Sequence, residues 1–198
     1  MGYENSRAAK MLNVHCIICN RPLLNADSVQ RAVGPDCAKK HGVELRLGFV
    51  EWEKAAQALA EILPPDHEVW ALWGEEDRVG EIANSLTWWV AHMDHYPRQR
   101  TAGICALDAL GYTALARAAA KGRGGVFVQE RAGRLEVASP YSENWIQASR
   151  QIQGRLWDGA RKVTTFPASQ RMQVWQAICR SYVGGTPVVG DKGIKAVP

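Results

Sequence analysis

The stretch from Arg134 to Pro167 leaves this chain the least freedom in how it can fold. It reads Arg-Leu-Glu-Val-Ala-Ser-Pro-Tyr, then a short helical pattern, then Gln153-Gly154-Arg155-Leu156-Trp157-Asp158, and closes with Arg161-Lys162-Val163-Thr164-Thr165-Phe166-Pro167. Just upstream, the apolar runs at 126–130 and 135–137 flank Arg131-Ala132-Gly133-Arg134. That is a hairpin signal, with Gly133 free to take the positive φ that such a turn needs. Ser142 suits a helix N-cap, with Glu143 in the first turn, and Trp145, Ala148 (or Ser149) and Ile152 form one apolar face. Gly154 permits a tight turn. Residues 155–157 and 162–166 then read as a second hairpin across Asp158-Gly159. Met172, Trp175, Ile178, Cys179 and Tyr182 stripe a last helix, closed by Gly184-Gly185. The order is ββαββα over residues 126–184. This predicts an antiparallel sheet with two helices on one face, the other face left free to bind, and residues 185–198 as a tail.

The N-terminal segment is constrained by thiols. The chain has five cysteines, too few and too irregular for a disulfide scaffold, and three of them fall in the first forty residues. Cys16 and Cys19 form a Cys-x-x-Cys knuckle. Cys37 and His41 are four apart, which on a helix presents both to one side. Together they predict a closed Cys3His zinc site, structural in role, with Cys16, Cys19, Cys37 and His41 as ligands. His15 competes with His41 for the fourth place. Cys105 and Cys179 lie in helical patterns and read as small buried hydrophobes.

Between these ends, residues 49–121 carry helical stripes broken by Pro64-Pro65, Tyr96-Pro97 and Gly111. The expectation is a helical bundle, acidic outside and tryptophan-rich inside. Val69 to Trp73 reads either as a strand or as one helical turn. His92, Asp94 and His95 invite a metal or nuclease reading, but no carboxylate cluster accompanies them in sequence. Lys121-Gly122-Arg123-Gly124-Gly125 lacks the Gly-x4-Gly-Lys-Ser/Thr spacing of a phosphate loop and reads as a basic linker over 122–125. The expected organisation is therefore α+β: a zinc module (1–48), a helical bundle (49–121), the linker, and the αβ module (126–184).

Two resemblances bear on this reading. Cys16, Cys19, Pro22, Leu23, Gly34, Cys37, Ala38 and Lys40 resemble a short zinc-binding domain found in phage and bacterial DNA-associated proteins. Leu135, Val137, Ser139-Pro140-Tyr141, Gly154-Arg155-x-Trp157-Asp158, Lys162 and Pro167 resemble the HARP domain of annealing helicases. That resemblance implies an accessory domain that recognises forked or single-to-double-strand DNA and helps complementary strands rewind. Gln153 stands where that family usually has proline, and Thr164 where it usually has tryptophan. No motor ATPase motif is present in this sequence, so helicase activity does not carry over.

Charge agrees with contact to a polyanion. Residues 1–48 carry +3, residues 49–121 carry −5, and residues 122–198 carry +6. Arg150, Arg155, Arg161 and Lys162 are the candidate phosphate contacts, and Tyr141 and Trp157 the candidate stacking surfaces for an unpaired base. The function expected from sequence is a non-enzymatic DNA-binding protein that favours forks or single strands, with zinc as cofactor and a helicase or other replication or repair protein as a further partner. The alternative is a protein-interaction adaptor of phage or mobile-element origin, built from zinc finger and bundle, that targets a replication or host-defence protein. No membrane association is expected: no apolar run reaches the length of a span, and residues 1–10 show no secretory signal. The expected location is the cytoplasm of a bacterial or phage-infected cell.

Overall fold

The structure is a computed structural model, and it describes residues 13–43, 49–75, 78–93 and 95–198. The fold is α+β, with eight α-helices and one six-stranded mixed sheet among the described residues. The chain divides into two compact units, residues 1–123 and 124–198. The boundary lies within the segment read as a linker, but Gly122 still belongs to a helix. The segments expected as separate zinc and helical modules fall in one unit.

The first unit opens with a hairpin-like knuckle in which His15 pairs with Pro22. Helix α1 (Ala26–Arg31) follows; the Asn25 side chain accepts its first N–H groups, and Ala32 ends it in the left-handed region at φ 56°. Helix α2 (Pro35–His41) starts on Pro35 and stops at Gly42, φ 59°. Helices α3 (Trp52–Ala60), α4 (Val79–His92), α5 (Pro97–Ala109) and α6 (Thr113–Gly122) make the bundle. Pro97 therefore opens a helix at its first position, where proline is tolerated. Residues Glu68–Leu72 form a 3-10 helix, one of the two readings open for that run.

The interior of the bundle differs from expectation. Ile82, Leu86, Ile104, Leu107 and Leu110 are fully buried beside a run of alanines, whereas Trp52, Trp70, Trp73, Trp88 and Trp89 are all at least partly exposed. Close helix approach is the reason. A Cβ on Gly103 would stand 2.8 Å from Val90 Cγ2, so the α4–α5 crossing has no space for an indole. Trp73 instead packs 5.1 Å from both Trp52 and Trp70, while Trp88 and Trp89 lie against His92 and His67.

The second unit is the predicted ββαββα pattern, extended by two strands. Strands β1 (Val126–Arg131) and β2 (Arg134–Ala138) form the first hairpin, α7 (Glu143–Arg150) follows, and β3 (Leu156–Asp158) pairs with β4 (Val163–Pro167) before α8 (Arg171–Ser181). Residues 185–198 are not a tail. They supply β5 (Pro187–Gly190) and β6 (Gly193–Ala196), and β5 pairs in parallel with β1, so the sheet is mixed and runs β3-β4-β2-β1-β5-β6. The physical reason is burial: Val188, Val189, Ile194 and Val197 are each 5% exposed or less, and Val188 and Val197 join the core. That core places Val126, Leu135, Val137 and Phe166 of the sheet against Trp145, Ile152, Val174 and Ile178 of the helical layer. Among the described residues no helix is long and apolar enough to cross a membrane.

Candidate functional site

The knuckle is built by backbone geometry. Cys16 N–H donates to the Arg21 carbonyl at 2.9 Å, Asn20 N–H donates to the Cys16 carbonyl at 2.8 Å, and Asn20 takes φ 60° to complete the bend. Ile17 and Ile18, between the two cysteines, are fully buried and anchor the loop from inside. A Cβ on Gly122 would lie 2.3 Å from the Ile18 carbonyl oxygen, and Arg123 Nε donates to the Ile17 carbonyl at 3.2 Å. The end of α6 therefore clamps the knuckle, which explains why the cysteine-bearing segment and the bundle form one unit. Helix α2 brings Cys37 to the same place: the sulfurs of Cys16, Cys19 and Cys37 lie within 4.8 Å of one another.

Three thiols this close can hold a metal ion. Sulfurs bound tetrahedrally at about 2.3 Å from one zinc stand about 3.8 Å apart, so the group needs only a small contraction. Arg21 Nε donates to Cys19 Sγ at 3.4 Å. Burial opposes the Cys19 thiolate, but hydrogen bonds from Arg21, then Cys37 and Cys16, bring its thiol down to about 7. Burial, reinforced by Cys19 and Cys16, pushes Cys37 up to about 12. Crowded thiols cannot all ionise without a cation among them.

Neither histidine joins the thiol group among the described residues. His41 closes α2, where burial, Lys121 and Lys40 all disfavour its protonation. His41 is the last residue of α2, four residues after Cys37. His15 turns its ring edge onto His92, centroids 5.5 Å apart. His92 in turn stacks on Trp88 at 4.3 Å, with its Nδ1 2.7 Å from the Trp88 carbonyl. These are the contacts of a helix-end side chain. His95 is exposed, and Asp94 lies outside the described residues.

In the second unit, five of the six candidate nucleic-acid contacts line one cleft of about 570 Å³: Tyr141, Arg150, Arg155, Trp157 and Lys162. Tyr141 is 85% exposed and Trp157 57%, so neither is a core residue. The lip that carries Tyr141 is tied down, because the Tyr182 hydroxyl donates to the Pro140 carbonyl at 3.1 Å and Ser142 caps α7 by accepting from Trp145 N–H. Thr164, 2% exposed, is among the residues that line the cleft. No described lining residue is acidic.

Arg155 does not pair with Asp158. Its Nε donates to Ser149 Oγ at 3.1 Å, and Asp158 instead accepts the N–H groups of Ala160 and Arg161, both at 3.0 Å. This Asx arrangement makes the β3–β4 connection four residues long and ends on Lys162, held at φ 54°. Burial, and then Arg150, make the charge of Arg155 less favourable than usual.

Arg161 is the candidate the structure removes from the set. Its two Nη atoms donate to Glu136 at 2.7 and 2.6 Å, and Gln129 donates to the same carboxylate at 2.7 Å. Those hydrogen bonds, Arg161 first, hold the Glu136 carboxyl down at about 2. The face used also differs from expectation. Val137 pairs with Thr164 and Thr164 with Trp157, so all three point to the side that bears the helices, and the cleft opens beside α7. The opposite face holds the Glu136–Arg161 pair. Register decides this, and register is not written in a hydrophobic pattern alone.

The sequence profile of a family of unknown function, DUF6011, matches residues 6–42, which include all three clustered cysteines and the whole of the two short helices around them. No curated protein matches the chain, and no solved structure does.

Proposed function

We propose that this protein binds nucleic acid through the cleft of its second unit and carries a structural zinc ion in its first. The observation that carries the reading is the convergence of Tyr141 and Trp157 with Arg150, Arg155 and Lys162 in one cleft whose described lining has no carboxylate. Cations hold phosphate, and an exposed aromatic ring offers every base a stacking surface whatever its identity. That combination favours unpaired bases over a closed duplex, in agreement with the resemblance to HARP domains. Forked or single-stranded DNA is the ligand class, and the chain acts without chemistry of its own, as an accessory in replication, repair or annealing.

Zinc is the ion that best suits three closely set thiols, two of them buried. Bound by Cys16, Cys19 and Cys37, it would tie α2 to the knuckle and supply rigidity.

Fluorescence anisotropy with fork, single-strand and duplex DNA at two salt concentrations tests the reading. Fork and single strand should bind more tightly than duplex, and more weakly as salt rises. Negligible binding to all three at low salt would sink it and leave the adaptor reading, for which a partner retained after nuclease treatment is the signature.

A further inference from the structure

Within the cleft, Arg155 is set apart from the other cations by how it is held. Ser149 is 0% exposed; its hydroxyl donates to the Ile146 carbonyl at 3.0 Å and accepts from Arg155 Nε at 3.1 Å. The Nε is thus committed to a fixed buried partner, and the two Nη groups remain for a ligand. Among the described residues neither Arg155 nor Arg150 forms an ion pair with a carboxylate, yet the two guanidinium groups are near enough to repel each other. Lys162 joins them from the end of the β3–β4 connection, where its backbone takes the left-handed conformation of a turn. Three cations thus line the cleft, and no acidic residue is in its described lining.

Resting on the DNA-binding reading of this cleft, we infer that it is an end site. Arg155, oriented by Ser149, and its neighbours Arg150 and Lys162 take the terminal phosphate monoester of a nucleotide whose base lies against Tyr141 or Trp157. Charge decides between terminal and internal phosphate. A backbone diester carries one negative charge, whereas a phosphate monoester carries about 1.5 to 2 at neutral pH and three acceptor oxygens. The monoester therefore neutralises more of the cluster and satisfies more of its donors. The space also fits: about 570 Å³ is the volume of a site for one small ligand, not a groove for many nucleotides. A planar arginine fork held at Nε suits two phosphate oxygens at once, which a lysine ammonium does not.

The test compares one short single strand bearing a 5′-phosphate, a 3′-phosphate or neither, with the full-length protein. A phosphorylated end should bind about tenfold more tightly, the effect of one or two added charge-assisted hydrogen bonds. Competition by a free deoxynucleoside monophosphate separates a loose nucleotide from a strand end as the source of the monoester. Arg155→Lys keeps the charge and should lose most of the preference. Ser149→Ala keeps every cation and should also shrink the preference, with a thermal melt showing that the fold persists. Equal affinity for phosphorylated and unphosphorylated strands overturns the end site while leaving DNA binding intact. No binding to any strand overturns both.

Discussion

The knuckle and the cleft reach a functional arrangement by opposite routes. The knuckle is assembled from residues close in sequence, Cys16 to Cys37, and its Ile17 and Ile18 are wholly buried. The cleft draws its walls from the β2–α7 connection, from α7, and from both strands of the β3–β4 hairpin and their turn, and it stays open to solvent with Tyr141 and Trp157 uncovered. In the first, ligand spacing dictates geometry, so most of the site can be read from the chain. In the second, neighbours in sequence have different roles: Arg161 is locked to Glu136 on one face while Lys162 lines the cleft on the other. A site built locally should fail as a whole when one ligand is lost. A site built by convergence should lose function residue by residue, without unfolding.

The contrast breaks most visibly if metal is withdrawn. One zinc per chain is expected by metal analysis. Its removal by chelator, or Cys37→Ser, should strip amide-exchange protection from α1, α2 and the knuckle, because structural zinc sites contribute on the order of 10 kcal/mol to folding. Exchange in the second unit should be unchanged. Unaltered protection around Cys16 would show that the thiols pack without a metal.

A smaller loss is expected from Gly154→Ala. Gly154 sits at φ 75°, and a Cβ there would lie 2.7 Å from Pro167 Cγ. The substitution should cost about 1–3 kcal/mol of second-unit stability by thermal melt, since both strain and a clash oppose it.

Lys162→Gly sharpens the comparison further, because its two effects have opposite signs. Removing a side chain from a left-handed position should stabilise the unit by about 1 kcal/mol. DNA affinity should fall at the same time. A variant that melts higher yet binds equally well would place Lys162 outside the site.

Glu136 gives an effect of pH. Its carboxyl is held at about 2 in the folded protein against an ordinary 4.5, so the unfolded chain takes up the proton first on acidification. The stabilisation is complete above pH 4.5 and fades as pH falls toward 2. Arg161→Ala should flatten that part of the stability–pH curve while leaving the salt dependence of DNA binding unchanged.

How far the sequence could be read follows the same division. Ser142 as N-cap, the β1–β2 hairpin and the Cys-x-x-Cys bend are local, and each rests on residues within one or two turns of each other. The strands at 187–190 and 193–196 leave no periodic trace in the sequence, because each has only four residues and β5 pairs in parallel with the distant β1. The run Val188-Val189 before Gly190-Asp191 is their one local signal. His41 has a ligand's spacing from Cys37, but the group brought together among the described residues is the three thiols. The tryptophans of the bundle looked like core because size suggests burial, whereas Gly103 and the alanines set an interhelical distance that excludes them. Which face carries Trp157 depended on strand register, a long-range property.

The central claim is that the cations of the cleft contact phosphate, and the salt dependence of single-strand binding tests it most directly. Each contact contributes about 0.7 to the slope of log affinity against log salt for single strands, so the wild-type slope should be near −2 for three contacts, and Arg155→Gln should reduce its magnitude by about 0.7. An unchanged slope in Arg155→Gln, with affinity also unchanged, would contradict the account.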